Sequence, residues 1–295
     1  MQKAIILVGG LLLLAPPILL TACAAPGDVR VLQSITPGQG DARGDQPAPA
    51  GDEKKLMLEV VVTYSLANGS PTLLEPVLID FTVENRLEQS VNLDLGADRK
   101  ESFQFKVKQP DGMTIELPQL RAEGLSRVGR LTVGAGQTYT QRVLLNEWYE
   151  FPSPGKYELS ARLTKPIRTS EGAGVVEPAE FHTTLEVQPR NAERLQQIAA
   201  GLAEQVTNAP SYEEAAQAAR ALSYVKDPVA VPYLEKALSS GRMVEPIVIA
   251  GLERIGGEEA IRALTAASVS QDEETAELAR AALERVKGKG GHDKR

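Results

Sequence analysis

The chain has 295 residues, enough for about two domains of about 100–150 residues each, and its 42% hydrophobic and 24% charged content excludes wholesale disorder. The formal charge is −7, from 32 Lys and Arg against 39 Asp and Glu, with both signs spread along the chain, so there is no basic field for nucleic acid. A single cysteine excludes an intramolecular disulfide.

The first element is a leader. Lys3 gives a short positive start, and residues 4–14, AIILVGGLLLL, form an apolar run of the length used for export. Small residues then lead to the single thiol. Leu20, Thr21, Ala22 and Cys23 resemble the bacterial lipobox, in which an aliphatic residue and two small ones precede an invariant cysteine. The resemblance implies that the Cys23 thiol carries diacylglycerol and that residues 1–22 are removed. It implies an acylated mature amino terminus, and a body held on a membrane by two or three acyl chains. At about 0.8 kcal/mol per buried methylene, such chains anchor far longer than one could. Ala24 is not the Asp that retains lipoproteins in the inner membrane, which favours the outer membrane where the organism has one. Two other readings stay open: an uncleaved spanning helix over residues 4–25, which carry no charge, or a plain secretory leader cut near Ala22 or Ala25. All three export the body.

Residues 23–55 read as a disordered tether. The stretch 24–55 holds four Pro, five Gly and no aromatic residue, too little apolar surface to offset the entropy of ordering. As a flexible coil it reaches about 30 Å. Its Arg43-Gly44-Asp45 resembles the integrin tripeptide, a match that arises easily in a Gly- and Asp-rich tract.

From 56 to 188 the pattern has a period of two, which predicts strands with one buried and one wet face. Val77, Ile79, Phe81 and Val83 point one way; Phe103, Phe105 and Val107 do the same, as do Tyr157, Leu159, Ala161 and Leu163, and then Phe181, Thr183, Leu185 and Val187. Pro110-Asp111-Gly112 and Pro154-Gly155 supply turns. Eight or nine such strands predict an antiparallel β-sandwich. The order of features, from a strand opening on Pro76 to the late FPSPGKY before another strand, loosely resembles immunoglobulin-like or fibronectin-like modules, which implies a spacer, an adhesion unit, a sugar binder or an inhibitor. Trp148, Tyr149 and Phe151 are candidates for a sugar-stacking surface, though core packing is the expectation. Asp94, Asp98 and Asp111 carry calcium-type oxygens at a spacing that fits no known loop, and are expected to be solvated carboxylates.

From 190 to 288 the period changes to 3.6 and the composition to Ala, Leu, Glu and Arg, which predicts helices. Leu222, Val225, Ala230, Val231 and Leu234 recur thirty residues on as Leu252, Ile255, Ala260, Ile261 and Leu264, the mark of a stacked helix-hairpin solenoid. Three hairpins are expected, at about 191–225, 228–256 and 258–287. Ser211 with Glu214 and Ser270 with Glu273 have capping-box spacing, Asp227 caps a helix opening on Pro228, and Pro232 should kink that helix. DPVAVPYLEKAL closely resembles the HEAT repeat in its short bacterial form, through Asp227, Pro228, Ala230, Val231, Pro232 and Leu234. GLERIGGEEAIRAL repeats the pattern. The resemblance implies a protein-interaction or scaffolding surface. Residues 289–295 read as a frayed basic tail.

The parts for catalysis are missing. Cys23 is assigned to lipid, His182 faces outward on a strand and His292 lies in the tail, so no triad or zinc site can be assembled from them, and no Gly-rich phosphate loop joins a strand to a helix. The sequence therefore predicts an exported, lipid-anchored envelope protein that is not an enzyme and needs no cofactor. Its fold class is a β-sandwich followed by a short α-α solenoid, and its partners are the membrane, through acyl chains on Cys23, and another envelope protein. The alternative is a sandwich that binds glycan or inhibits a protease, with the helices structural only.

Overall fold

The computed structural model describes residues 60–96, 100–119, 129–170, 175–176 and 180–290. The leader with Leu20, Thr21, Ala22 and Cys23, the tether, Asp98 and His292 lie outside these residues. The described chain is a block of antiparallel strands followed by six helices.

The strands are β1 (Val60–Leu66), β2 (Leu78–Asn85), β3 (Val91–Asp94), β4 (Phe103–Lys108), β5 (Thr114–Glu116), β6 (Arg130–Val133), β7 (Thr138–Leu144), β8 (Gly155–Leu163), β9 (Ile167–Thr169), β10 (Val175–Val176) and β11 (Phe181–Val187). They form three sheets, ordered β1-β2-β7, β10-β9-β3-β6 and β11-β8-β4-β5. Each strand-to-strand ladder is antiparallel. The alternating apolar residues meet between the first and third sheets. The Tyr64 ring lies 5.4 Å from that of Phe181, and Phe81 meets Phe103 edge-on at 5.1 Å. These are cross-sheet contacts, and they make the body a sandwich.

Asn85 explains how the first sheet turns into the second. At the end of β2 the two N–H bonds of its fully buried Nδ2 are shared among the carbonyls of Gln89, Val133 and Gly134, at 2.9, 3.0 and 2.9 Å. One amide thus satisfies the backbone where β2 leads to β3 and β6 leads to β7. A buried group with its partners in place costs little and fixes one geometry. The Pro110-Asp111-Gly112 turn closes the β4–β5 hairpin. Gly112 has φ +88°, its N–H donates to the Gln109 carbonyl, and Met113 N–H donates to the Asp111 carboxylate at 2.9 Å.

The helices are α1 (Ala192–Asn208), α2 (Tyr212–Ser223), α3 (Val231–Leu238), α4 (Glu245–Ile255), α5 (Gly257–Ala267) and α6 (Glu273–Gly290). They pair as α1 with α2, α3 with α4, and α5 with α6. Successive hairpins stack through α1, α3 and α5 in one layer and α2, α4 and α6 in the other. Their shared core is rich in small side chains: Ala199, Ala203, Ala215, Ala219, Ala230, Ala260, Ala279 and Ala282 are fully buried beside Leu195, Leu222, Leu234, Leu252 and Leu264. Gly256 and Gly257, at φ +62° and +74°, make the abrupt link from α4 to α5, a conformation that favours glycine.

Two local expectations are corrected. Pro232 does not kink a helix. Residues Pro228–Ala230 form a 3₁₀ turn and α3 begins at Val231, so Pro232 sits in the first turn, where its missing N–H has no intrahelical acceptor to lose. The cap of α6 is Asp272 rather than Ser270. The Asp272 carboxylate accepts from both the Thr275 N–H, at 3.0 Å, and the Thr275 hydroxyl, while Ser270 Oγ accepts from the Asp272 N–H at 3.2 Å. A carboxylate at a helix N-terminus accepts more strongly than a hydroxyl and opposes the helix dipole.

Candidate protein-interaction site

The sandwich and the helical array meet along the loop before β2 and the first turn of α1. Glu75 anchors this seam. Its side chain is 2% exposed, and its carboxylate accepts from Asn68 Nδ2 at 2.8 Å, from Thr72 N–H at 2.8 Å, and from Arg194 Nε and Nη2 at 2.8 and 3.1 Å. The Thr72 hydroxyl donates to the Pro189 carbonyl, and the backbones of Pro71 and Leu73 bond both sides of Gln188. The sandwich residues Leu74 and Leu78 pack against the helical core. Farther along, Lys226 meets Glu150 at 2.5 Å. A joint made of apolar packing and several charge-assisted hydrogen bonds holds the two bodies in one orientation.

A second ion pair sits just beyond the seam. The Arg190 guanidinium reaches both oxygens of Asp227, at 2.5 and 3.1 Å, while Asp227 also caps Val229 N–H at 3.1 Å. Burial pushes the Asp227 carboxyl up, but the Arg190 hydrogen bond, the Val229 amide and the Arg190 charge outweigh it and hold the acid below its ordinary range. Arg254 ties the first two hairpins together within one layer: it donates to Ser223 Oγ at 3.1 Å, and its guanidinium carbon lies 4.1 Å from the centre of the Tyr224 ring.

Between the two bodies lies an open groove of about 870 Å³, walled by the outer face of β2 and β7 on one side and by α2 on the other. Arg142 and Asp80 on the sheet wall form a bidentate pair at 2.7 and 3.0 Å. Lys100 pairs with Glu147 at one end, and Tyr212, Gln217 and Arg220 line the helical wall. These carboxylates are matched by cations rather than set beside a nucleophile, and the groove is mixed in polarity.

The HEAT-pattern residues occupy the inside of the array. Ala230, Val231, Leu234, Leu252 and Leu264 are buried in its core, Ile255 is half-buried against it, and Asp227 serves as cap and ion pair. Pro228 and Pro232 are exposed at the start of the second hairpin. Any partner surface therefore comes from other residues, on the groove, the outer helix faces and the turns.

The sandwich candidates resolve differently. Trp148 is 9% exposed and packs edge-on against Phe105 at 5.0 Å, and Tyr149 and Phe151 both pack on Tyr157. Trp148 belongs to the core, and Tyr149 and Phe151 are half-buried against it, their rings engaged with Tyr157. Asp94 is neutralised by Lys165 at 3.0 Å and Arg130 at 3.9 Å, and Asp111 serves its own turn. Burial pushes the Asp94 acid up, and the Lys165 and Gly96 hydrogen bonds with the two cations bring it below its usual range. No cluster of three or more metal-ligating residues occurs among the described residues. His182 is exposed on β11, 3.9 Å from Glu180. Sequence reasoning missed Glu75, Arg190 and Arg194, whose importance rests on partners 119 and 37 residues away in the chain.

Residues 199–284 match the family model described as HEAT repeats. No curated protein matches the chain. Among solved structures, the chain is similar to Spo0M, the sporulation control protein of Bacillus subtilis, at 11% identity and a TM-score of 0.25, covering 48% of this chain and 54% of that one. It is also similar to BslA, a bacterial hydrophobin, at 14% identity and a TM-score of 0.21, covering 45% of this chain and 96% of that one. A β-glucosidase of Listeria innocua matches at 15% identity and a TM-score of 0.24, covering 44% of this chain and 16% of that one. At these scores the structural likenesses carry no argument about activity. The packed hairpins and the family match together make the C-terminal third a HEAT-like helical repeat array, the type of module used for protein interaction or structure.

Proposed function

We propose that the protein is a lipid-anchored envelope lipoprotein, without catalytic activity, whose helical array docks another envelope protein. The HEAT-repeat match over residues 199–284 carries the docking part, because stacked hairpins present extended surface while their motif residues are consumed in the core. The anchoring part rests on Cys23 behind Leu20, Thr21 and Ala22, with the tether to follow. Outer-membrane placement rests on Ala24.

The sandwich acts as a rigid stalk, and we read it as immunoglobulin-like. The order β11-β8-β4-β5 corresponds to G-F-C-C′ in that fold and β1-β2-β7 to A-B-E. Tyr157, near the start of the F-equivalent strand, donates its hydroxyl to the Ser153 carbonyl at 2.8 Å, as a tyrosine corner does. Burial of Trp148 removes the motive for a glycan site there.

The test is photo-crosslinking in cells from single positions on the array surface, such as Gln217 and Arg262, in the wild-type chain and in Cys23→Ala. A discrete protein adduct in the membrane fraction that disappears in Cys23→Ala supports the reading. Absence of any adduct from every array position counts against docking.

A further inference from the structure

Four large apolar side chains are exposed among the described residues, and three of them stand at the turns inside the three successive hairpins. Tyr212 opens α2 and is 60% exposed, Met243 lies between α3 and α4 at 75%, and Val269 lies between α5 and α6 at 80%. Single exposed apolar residues are ordinary, but here one stands at the inner turn of each of three stacked hairpins, along one edge of the array. Helices pack about 8–10 Å apart, so the turns of three stacked hairpins span roughly 20 Å.

The same turns are predominantly acidic. Segments 208–214, 239–245 and 268–274 contain Glu213, Glu214, Glu245, Asp272, Glu273 and Glu274 against one base, Arg242. The Arg242 guanidinium is turned back onto the Thr207 carbonyl at 2.7 Å. Arg280 likewise donates to the Ser268 carbonyl at 3.4 Å, so the ridge is apolar at its tips and net acidic, with its two cations engaged on backbone carbonyls.

Resting on the docking reading above, we propose that this ridge receives a cationic amphipathic helix of the partner protein. Charge selects a basic partner and disfavours an anionic lipid surface. Secondary structure follows from the hydrogen bonds. Ser211 caps Glu214 N–H and Asp272 caps Thr275 N–H, while Val244 before α4 offers no side-chain cap; the ridge has no strand edge to pair with an extended segment, whereas a helix satisfies its own backbone. A helix advances about 10 Å in seven residues, so the partner presents an apolar side chain about once per heptad, flanked by Lys or Arg.

The probe is a synthetic Lys/Ala helix of roughly 18 residues with one Leu per heptad, titrated against the full chain. Tyr212→Ser, Met243→Gly and Val269→Ser together should weaken binding by about tenfold or more, and raised salt should weaken it further. Met243→Gly alone separates binding from folding. Met243 has φ +60°, so glycine relaxes the backbone there: the melting temperature should hold or rise while affinity falls. Unchanged binding in the triple variant, equal binding of a Glu/Ala version of the probe, or preferential binding of the chain to phosphatidylglycerol vesicles through these residues would overturn the assignment. If array positions still crosslink to a protein in cells, the docking reading survives and only the ridge is wrong; if they do not, both fall.

Discussion

Arg194, in the first turn of α1, grips the buried carboxylate of Glu75 with two hydrogen bonds of 2.8 and 3.1 Å across 119 residues of sequence. The pair joins the sandwich to the helical array at a point where the carboxylate also serves Asn68 and Thr72. Glu75→Ala strips the acceptor from three groups at once and should cost about 2–3 kcal/mol, below the full buried-pair range because Arg194 is 41% exposed. Arg194→Ala should cost less, since two donors remain on the carboxylate. Urea unfolding of both single variants and the double variant measures their coupling. One cooperative transition in the wild type that splits into two in Glu75→Ala shows that the seam makes the bodies unfold together.

Asp227 sets an acid limit on stability. Its carboxyl is a stronger acid folded than unfolded, because the Arg190 pair and the Val229 amide more than offset burial. The resulting stabilisation is fully present above the unfolded value near about 4 and is lost as pH falls through the folded value. Asp227→Asn should therefore flatten the stability-versus-pH curve below about pH 4 while lowering stability at neutral pH. Thermal melts of the two proteins between acidic and neutral pH compare the slopes directly.

Two helix glycines should respond in opposite directions to alanine. A Cβ on Gly251 would sit 2.8 Å from both Cα and Cβ of Ser223, where α4 crosses the end of α2. Helix propensity gains about 1 kcal/mol, but overpacking against backbone costs about 1–3 kcal/mol, so Gly251→Ala should be destabilising. Gly201 in α1 meets nothing within 4 Å, and Gly201→Ala should stabilise by about 0.5–1 kcal/mol. A stabilised Gly251→Ala would mean that α2 and α4 are farther apart than the structure places them.

Trp148→Ala should unfold or strongly destabilise the sandwich, by about 3–5 kcal/mol, through loss of the contact with Phe105. A variant that keeps its melting temperature but loses retention on a glycan column would return Trp148 to a surface role.

Much of the fold was legible because it follows from local periods. Phe81, Phe105 and Leu185 alternate with wet neighbours, and Leu222 and Leu252 repeat at thirty residues. The short strands β5, β9 and β10 were not, since two or three residues hold no period. Pro232 misled because composition alone does not say where a 3₁₀ turn ends and an α-helix begins, and Ser270 misled because Asp272 lay two residues on as the better acceptor. The seam was illegible for a different reason: Glu75 and Arg194 look like ordinary surface charges until the fold brings them together. The exposed row of Tyr212, Met243 and Val269 needed the stacking of the hairpins before it became a feature.

The account depends above all on the anchor, and the intact mass of protein extracted from membranes, beside that of Cys23→Ala, tests it most directly. A mature chain that begins at Cys23 and carries added acyl mass, absent from the variant, is the predicted result. A chain with an unmodified Cys23, or one still carrying residues 1–22, would contradict it and leave the helical array without its place at the membrane.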